Sequence, residues 1–144
     1  MSTATIDLWG PEITIKRQTP LTILRAQAVL LEQKTGGILR GKIQTTIVDN
    51  STKHELLVFA PLLDNYSLAI LSATHHVDLV YPVHVSSRGL DLEFSGTGTR
   101  TAEAQVQFVE LLAHILVSPY VRGVLDSLIA QSNEAAEGTS VANG

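Results

Sequence analysis

The 144-residue chain has no cysteine, only seven aromatic residues and no long apolar run. Without cysteine it cannot form disulfides, thiolate metal sites, iron–sulfur centres or a cysteine nucleophile. Its longest apolar runs, such as LLVFAPLL, fall short of the roughly 20 residues that a transmembrane helix needs. The first ten residues, MSTATIDLWG, lack the basic and apolar regions of a signal peptide. We therefore expect a cytoplasmic protein with no membrane partner.

Charge is also scarce, at 17% of residues, with a net charge of −4. The ten basic residues are scattered, and the densest group is Ile15–Arg17. Nucleic-acid binding draws on clustered cations and stacking aromatics, so we expect no nucleic-acid partner. A chain that is 44% hydrophobic and weakly charged favours burial of further surface by self-association, most simply as a homodimer.

The clearest helix signal lies between Thr19 and Gly36. Thr19 suits an N-cap, and Pro20 suits the first helical position because the N–H it lacks would have no partner there. Apolar residues then recur at spacings of three and four, and Gly36–Gly37 ends the pattern. The pattern predicts an amphipathic helix.

ILRGKIQTTIVDN, residues 38–50, switches to alternating apolar and polar side chains, which is typical of a strand, and HELLVFAPLL, YSLAILSATHH and VDLVYPVHV predict three more strands. Turn residues at Asp49–Lys53, Asp64–Asn65 and Ser86–Gly89 separate or follow these segments. Pro61 cannot donate to a strand ladder, so we expect the second strand to end or bulge there. Short links of this kind predict hairpins.

Two further stretches resemble strands. TIDLWGPEITIK, near the N-terminus, alternates on either side of Gly10–Pro11 and predicts two short strands or one interrupted strand. LDLEF, residues 90–94, alternates apolar side chains with carboxylates and predicts a half-buried strand.

The C-terminal third is helical in pattern. TAEAQVQFVELLAHILVS, residues 101–118, is apolar over most of its circumference and therefore needs cover on two sides. Ser118–Pro119 repeats the cap-and-proline signature and predicts a new helix or a kink. From Asn133 the residues are small and polar. We predict one domain over residues 1–132 and a disordered tail over 133–144.

Together these elements predict an α+β fold. Consecutive strands joined by short links, without crossover helices, must pair antiparallel. We expect a single twisted antiparallel sheet, a meander of five or six strands, with the N-terminal helix and the C-terminal helices packed on one face. Val58 and Phe59 lie in a strand that is apolar on both faces, which predicts an interface or a ligand groove at these residues.

Histidines are concentrated in ATHHVDLVYPVHV, residues 73–85. A continuous strand there would place His76 and Asp78 on one face, about 7 Å apart. Imidazole and carboxylate suit zinc, with His54 or His84 supplying a further ligand. The interpretation that we favour is the solvent face of a hairpin, so we expect no cofactor.

The glycine-bearing turn before the second long helix predicts a weaker anion site. Free N–H groups at a helix N-terminus attract anions, and Gly98 with Arg100 would bind a phosphate or carboxylate. The turn lacks the third glycine of a dinucleotide fingerprint and the lysine of a P-loop. The alternative interpretation is that these residues only end a strand and cap the N-terminus of the following helix.

No catalytic residue is predicted. No serine lies in a G-x-S-x-G motif. Asp91 and Glu93 alternate with leucines in the manner of a solvated face, and His114 lies in an apolar helix, where a core or interface position is expected.

Two hypotheses from different classes remain. The leading one is a non-catalytic module that self-associates, with a dimer favoured, and serves as an accessory or adaptor to a protein partner. The alternative is a small-molecule or metal-binding protein, or an enzyme, with a site on the open sheet face formed by His76, Asp78 and Arg40.

Overall fold

A computed structural model describes Ile6, Leu8, Trp9, residues 18–93 and residues 98–142, with the backbone alone at 91–93 and 139–142. The predicted N-terminal strands fall almost wholly outside these residues, as do Phe94 and Gly96. The elements in chain order are α1 Pro20–Lys34, β1 Arg40–Val48, β2 Ser51–Ala60, a 3₁₀ turn Pro61–Leu63, β3 Tyr66–His76, β4 Leu79–Ser86, α2 Arg88–Glu93, β5 Thr99–Ala102, α3 Gln105–Leu116 and α4 Pro119–Ala142.

The sheet confirms the predicted α+β class. The described residues form one five-stranded sheet in the order β1-β2-β3-β4-β5, and every neighbouring pair is antiparallel. In β2 the even-numbered residues from Thr52 to Ala60 are buried, whereas the odd-numbered ones are exposed or half-buried. The buried residues face α1, α3 and α4, so the long helices cover one face, as the sequence predicted.

Local chemistry at the predicted boundaries explains where α1 begins and ends. The Thr22 amide donates to Thr19 Oγ1 at 3.2 Å, which is the N-cap bond expected of threonine. Gly36 and Gly37 follow the helix with φ of 60° and 84°, a region that side chains disfavour. Thr35 Oγ1 donates to the Leu31 carbonyl at 2.9 Å. The helix therefore ends at Lys34, just before the capping Thr35 and the two glycines.

The turns also follow the predicted residues. Asp49 closes the β1–β2 hairpin with φ of 55°, and Asp64 and Asn65 have φ of 56° and 57°. Asp and Asn tolerate this left-handed region better than most residues. Pro61 ends β2 and begins the 3₁₀ turn. These residues set the lengths of the first two hairpins.

The prediction of a strand over LDLEF is wrong, because Arg88–Glu93 is a short helix, α2. Ser87 starts it: its Oγ accepts the Gly89 amide at 3.1 Å and donates to the Ile70 carbonyl at 2.8 Å. Leu90 is fully buried from this helix. Alternation over five residues did not distinguish a capped helical turn from a strand, and the cap decided the structure.

The C-terminal region differs from expectation at two points. The structure adds β5, Thr99–Ala102, where the sequence led directly into a helix, so α3 begins only at Gln105. Helix α4 includes residues 133–142, where we expected a disordered tail. Ala and Glu at residues 134–137 are good helix formers, and they continue a helix whose earlier turns are packed on the core.

Ser118 joins α3 to α4. It is 1% exposed, its Oγ donates to the Ile115 carbonyl at 2.6 Å, and it accepts the Val121 amide at 3.4 Å. Pro119 then occupies the first helical position, as predicted. The two helices meet at an angle of 52°.

Candidate functional site

Two histidines form a buried pair on the helix-covered face of the sheet. His54 on β2 is 3% exposed and His75 on β3 is 7% exposed. Their Nε2 atoms lie 3.1 Å apart, and their ring centroids are 5.1 Å apart at an interplanar angle of 38°. Adjacent strands position them, because His54 pairs with Ala73 and Thr52 with His75 in the β2–β3 register.

The hydrogen-bond partners fix how protons are arranged on this pair. The His76 carbonyl oxygen can only accept, so His75 Nδ1, at 2.7 Å, must donate to it. The Nε2 atom of a neutral His75 then accepts from His54 Nε2–H. His54 Nδ1 in turn accepts from the Thr45 hydroxyl at 2.9 Å. A single chain of hydrogen bonds therefore runs from β1 through β2 to β3.

Burial lowers the pKa of His54 below its ordinary value of 6.5. Proximity to His75 and to Arg25, on α1, lowers it further. The charged form is disfavoured because desolvation and the nearby positive charge both oppose an imidazolium. We conclude that His54 is neutral at pH 7 and that the pair is a polar link within the sheet.

The same pair presents two imidazole nitrogens to a metal ion, but this falls short of a zinc ligand set. In the part of the chain that the structure describes, no group of three or more His, Cys, Asp or Glu side chains could bind a metal. Each ring nitrogen of the pair already has a hydrogen-bond partner. The arrangement is therefore best explained by hydrogen bonding.

This histidine pair was not predicted from the sequence, although the sequence contains a signal for it. His75 belongs to the apolar side of its strand, and His54 shares the alternation of Leu56 and Val58. Both positions therefore predict inward-facing side chains. Their contact also requires the strand register, which alternation does not specify.

The two residues of the predicted zinc site do not share a strand. His76 is the last residue of β3, whereas Asp78 lies in the two-residue turn that precedes β4. The assumption of one continuous strand is wrong, because the chain reverses at Val77, whose amide donates to the Asn50 carbonyl at 2.8 Å. Both side chains are exposed at a hairpin tip.

Arg40 and His76, which the alternative hypothesis placed in one site on the open sheet face, lie far apart. Arg40 pairs with Phe59, and Phe59 pairs with Ser67, at one end of the sheet. His76 pairs with Ser51 at the other end. Eight residues of strand separate the two positions, or about 26 Å. Arg40 instead approaches Glu32 on α1, with Nε 3.4 Å from Oε1.

The predicted anion-binding residues lie away from a helix N-terminus. Gly98 precedes β5, and its carbonyl accepts the Ser87 amide at 2.9 Å. Arg100 lies within β5, and its Nη1 donates to the Thr99 carbonyl at 3.1 Å. Because β5 follows this turn in the chain, the turn does not lead directly into the N-terminus of α3, as the prediction assumed.

The two predicted interface residues lie on opposite faces. Val58 is fully buried beneath the helices and belongs to the core. Phe59 is half-buried on the open face, beside Arg40 and Ser67 in the register. An interface role stays a prediction, and of the two residues only Phe59 reaches the surface.

Within the described residues, no single helix has the length and apolarity to cross a membrane. The residues 105–116 and 119–138 pass that test only as a pair bent by 52°. Comparison of the chain with protein-family models, curated proteins and solved structures finds no match in any of the three.

Proposed function

We propose that the protein is a non-catalytic interaction module that self-associates by pairing its edge strand β1 with β1 of a second copy. One observation carries this proposal. Strand β1 is nine residues long, lies at the edge of the sheet, and pairs with β2 in an unbroken register. Its second side meets no strand among the described residues.

This edge has few of the features that block strand pairing. Proteins usually protect an edge with proline, charge, a bulge or short length. In β1 the charges are confined to Arg40 and Lys42, and Ile43–Val48 carries none. Five of the six residues of that segment are β-branched. Ile47 and Val48 are 63% and 61% exposed, so pairing would bury apolar surface.

The opposite edge contrasts with β1. Strand β5 has four residues and includes Arg100. A short, charged edge offers little ladder to a partner. The difference between the two edges favours a closed dimer over an open chain of copies, because one edge pairs symmetrically and the other does not.

A two-fold axis through Gln44 gives a register that suits both copies. Antiparallel pairing places Gly41 opposite Ile47 of the second copy and Ile43 opposite Thr45. It also places Lys42 opposite Thr46, so the basic residues of the two copies lie at opposite ends of the ladder. The two sheets would join into one, with the helices of both copies on one face.

The proposed register between the two β1 strands can be tested by introducing a charged residue into β1. Thr46→Lys would place a lysine opposite Lys42 of the second copy, so we expect sedimentation velocity to show a shift from twice 15.5 kDa to the monomer mass. Adding Lys42→Glu to Thr46→Lys should restore the dimer. Thr101→Lys in β5 is the matched control and should leave the mass unchanged.

Circular dichroism would verify that each variant is folded. A wild-type chain that sediments as a monomer at every concentration would refute the proposal. A dimer that is insensitive to Thr46→Lys would refute pairing through β1 in this register.

A further inference from the structure

We infer that the cleft between α1 and the α3–α4 corner is a binding site for a single-chain amphipathic anion, a long-chain carboxylic acid. The cleft has a volume of about 340 Å³. Leu56 and Ile70 form its floor, above the buried Val58, and Ala28 and Ala113 lie on its opposing walls. Lys34 and Arg122 supply its charge.

Packing explains why the cleft is open. Gly41 on β1 lets α1 approach so closely that a Cβ there would lie 2.5 Å from Ala28 Cα. This contact holds α1 close to β1, at the edge of the sheet. The 52° bend at Ser118 directs α4 away from α3 on the other side. Small side chains at Ala28 and Ala113 leave the intervening space unfilled.

The floor of the cleft is part of the core. Leu56, Val58 and Ile70 are between 0 and 4% exposed. Protein interiors are close-packed, and an apolar recess over the core is a usual form of a ligand site. Its volume lies near the low end of the roughly 300–1,000 Å³ of such sites, which suits one acyl chain better than two.

The two cationic side chains at the cleft favour a ligand with an anionic head group. Lys34 and Arg122 are exposed, and within the described chain neither forms an ion pair. The described residues that line the cleft include no Asp or Glu. Two cations beside an apolar recess, in a chain with a net charge of −4, complement a carboxylate attached to an apolar tail.

The experiment uses a dansyl-labelled undecanoic acid as the probe, with displacement by dodecanoic acid and by dodecanol. We expect enhanced, blue-shifted emission on binding to the wild-type chain, and tighter binding of dodecanoic acid than of dodecanol. Lys34→Gln and Arg122→Gln should each weaken dodecanoic acid binding about two- to fivefold and leave dodecanol unchanged.

A filling variant tests the position of the site. Ala113 is exposed on α3, so Ala113→Phe should block the cleft without disturbing the core, and probe binding should be lost. Lys53→Gln, on the open face of the sheet, is the matched charge control and should bind the probe as the wild type does. Each variant is compared by its thermal unfolding.

Three results would overturn the inference: no probe binding to the wild type, equal binding to Ala113→Phe, or equal affinities for the acid and the alcohol in all variants. Because Thr46 does not line the cleft, the dimer and the ligand site fail or succeed independently.

Discussion

At the scale of single residues, the His54–His75 pair shows how a polar group is accommodated in an apolar layer. Each imidazole is buried, and each ring nitrogen has a partner. Buried polar groups are costly when unpaired and nearly neutral when satisfied. The pair therefore links three strands at the end of the sheet where Thr45 and His76 lie.

The lowered pKa of His54 predicts a pH dependence of stability. Its pKa is below 6.5 in the folded chain and near 6.5 in the unfolded chain, so the unfolded chain binds more protons between these two values. The free energy of unfolding should be greatest above pH 6.5 and fall as the pH drops toward the folded pKa. Urea denaturation across this range measures the decline.

Two histidine variants distinguish the contribution of His54 to this decline in stability from that of the other titratable groups. His54→Gln should flatten the decline, because it removes the group whose pKa shifts on folding. His84→Gln, an exposed histidine on the open face that contacts Thr101, should retain it. An unchanged decline in His54→Gln would show that another group is responsible.

At the scale of elements, the contact between α1 and β1 depends on a missing side chain. A Cβ on Gly41 would lie 2.5 Å from Ala28 Cα and 2.6 Å from Ala28 Cβ. Backbone atoms on the helix cannot yield as a flexible side chain can. The helix would have to lift from the strand, and the packing beneath it would loosen.

We therefore expect Gly41→Ala to lower the free energy of unfolding by about 1–3 kcal/mol, as overpacking typically does. Gly123→Ala is the matched control, since Gly123 lies within α4 and its added Cβ would meet no described atom within 4 Å apart from the neighbouring backbone of its own helix. That change should raise stability by about 0.5–1 kcal/mol through helix propensity. Urea midpoints measure both, and equal effects of one sign would contradict the packing argument.

Secondary structure was predictable from the sequence wherever caps and turn residues agreed with periodicity. Thr19 and Gly36 bounded α1, and Asp49 and Asp64 marked two turns. Periodicity failed over LDLEF, because Ser87 caps a helix there and is itself held by a tertiary hydrogen bond to the Ile70 carbonyl. Strand β5 was missed because four residues are too few to show a period.

At the scale of the whole molecule, the proposed dimer depends on the difference between the two edges of the sheet. Because the proposed dimer couples folding to association, we expect the thermal midpoint of the wild type to rise with protein concentration. Thr46→Lys should remove this dependence without altering the far-ultraviolet spectrum. Differential scanning calorimetry over a dilution series measures it. A midpoint independent of concentration in the wild type would contradict the dimer.

The fold class, the antiparallel pairing of the strands and the boundaries of α1 follow from local sequence, because helix caps, turn residues and short links act over a few residues. The candidate sites depend on contacts between distant parts of the chain. Register brought His54 to His75 and put Arg40 and His76 at opposite ends of the sheet. The close approach of Gly41 to Ala28 and the bend at Ser118 opened the cleft. These contacts join residues distant in the chain, and a local pattern does not encode which strand or helix a side chain will meet.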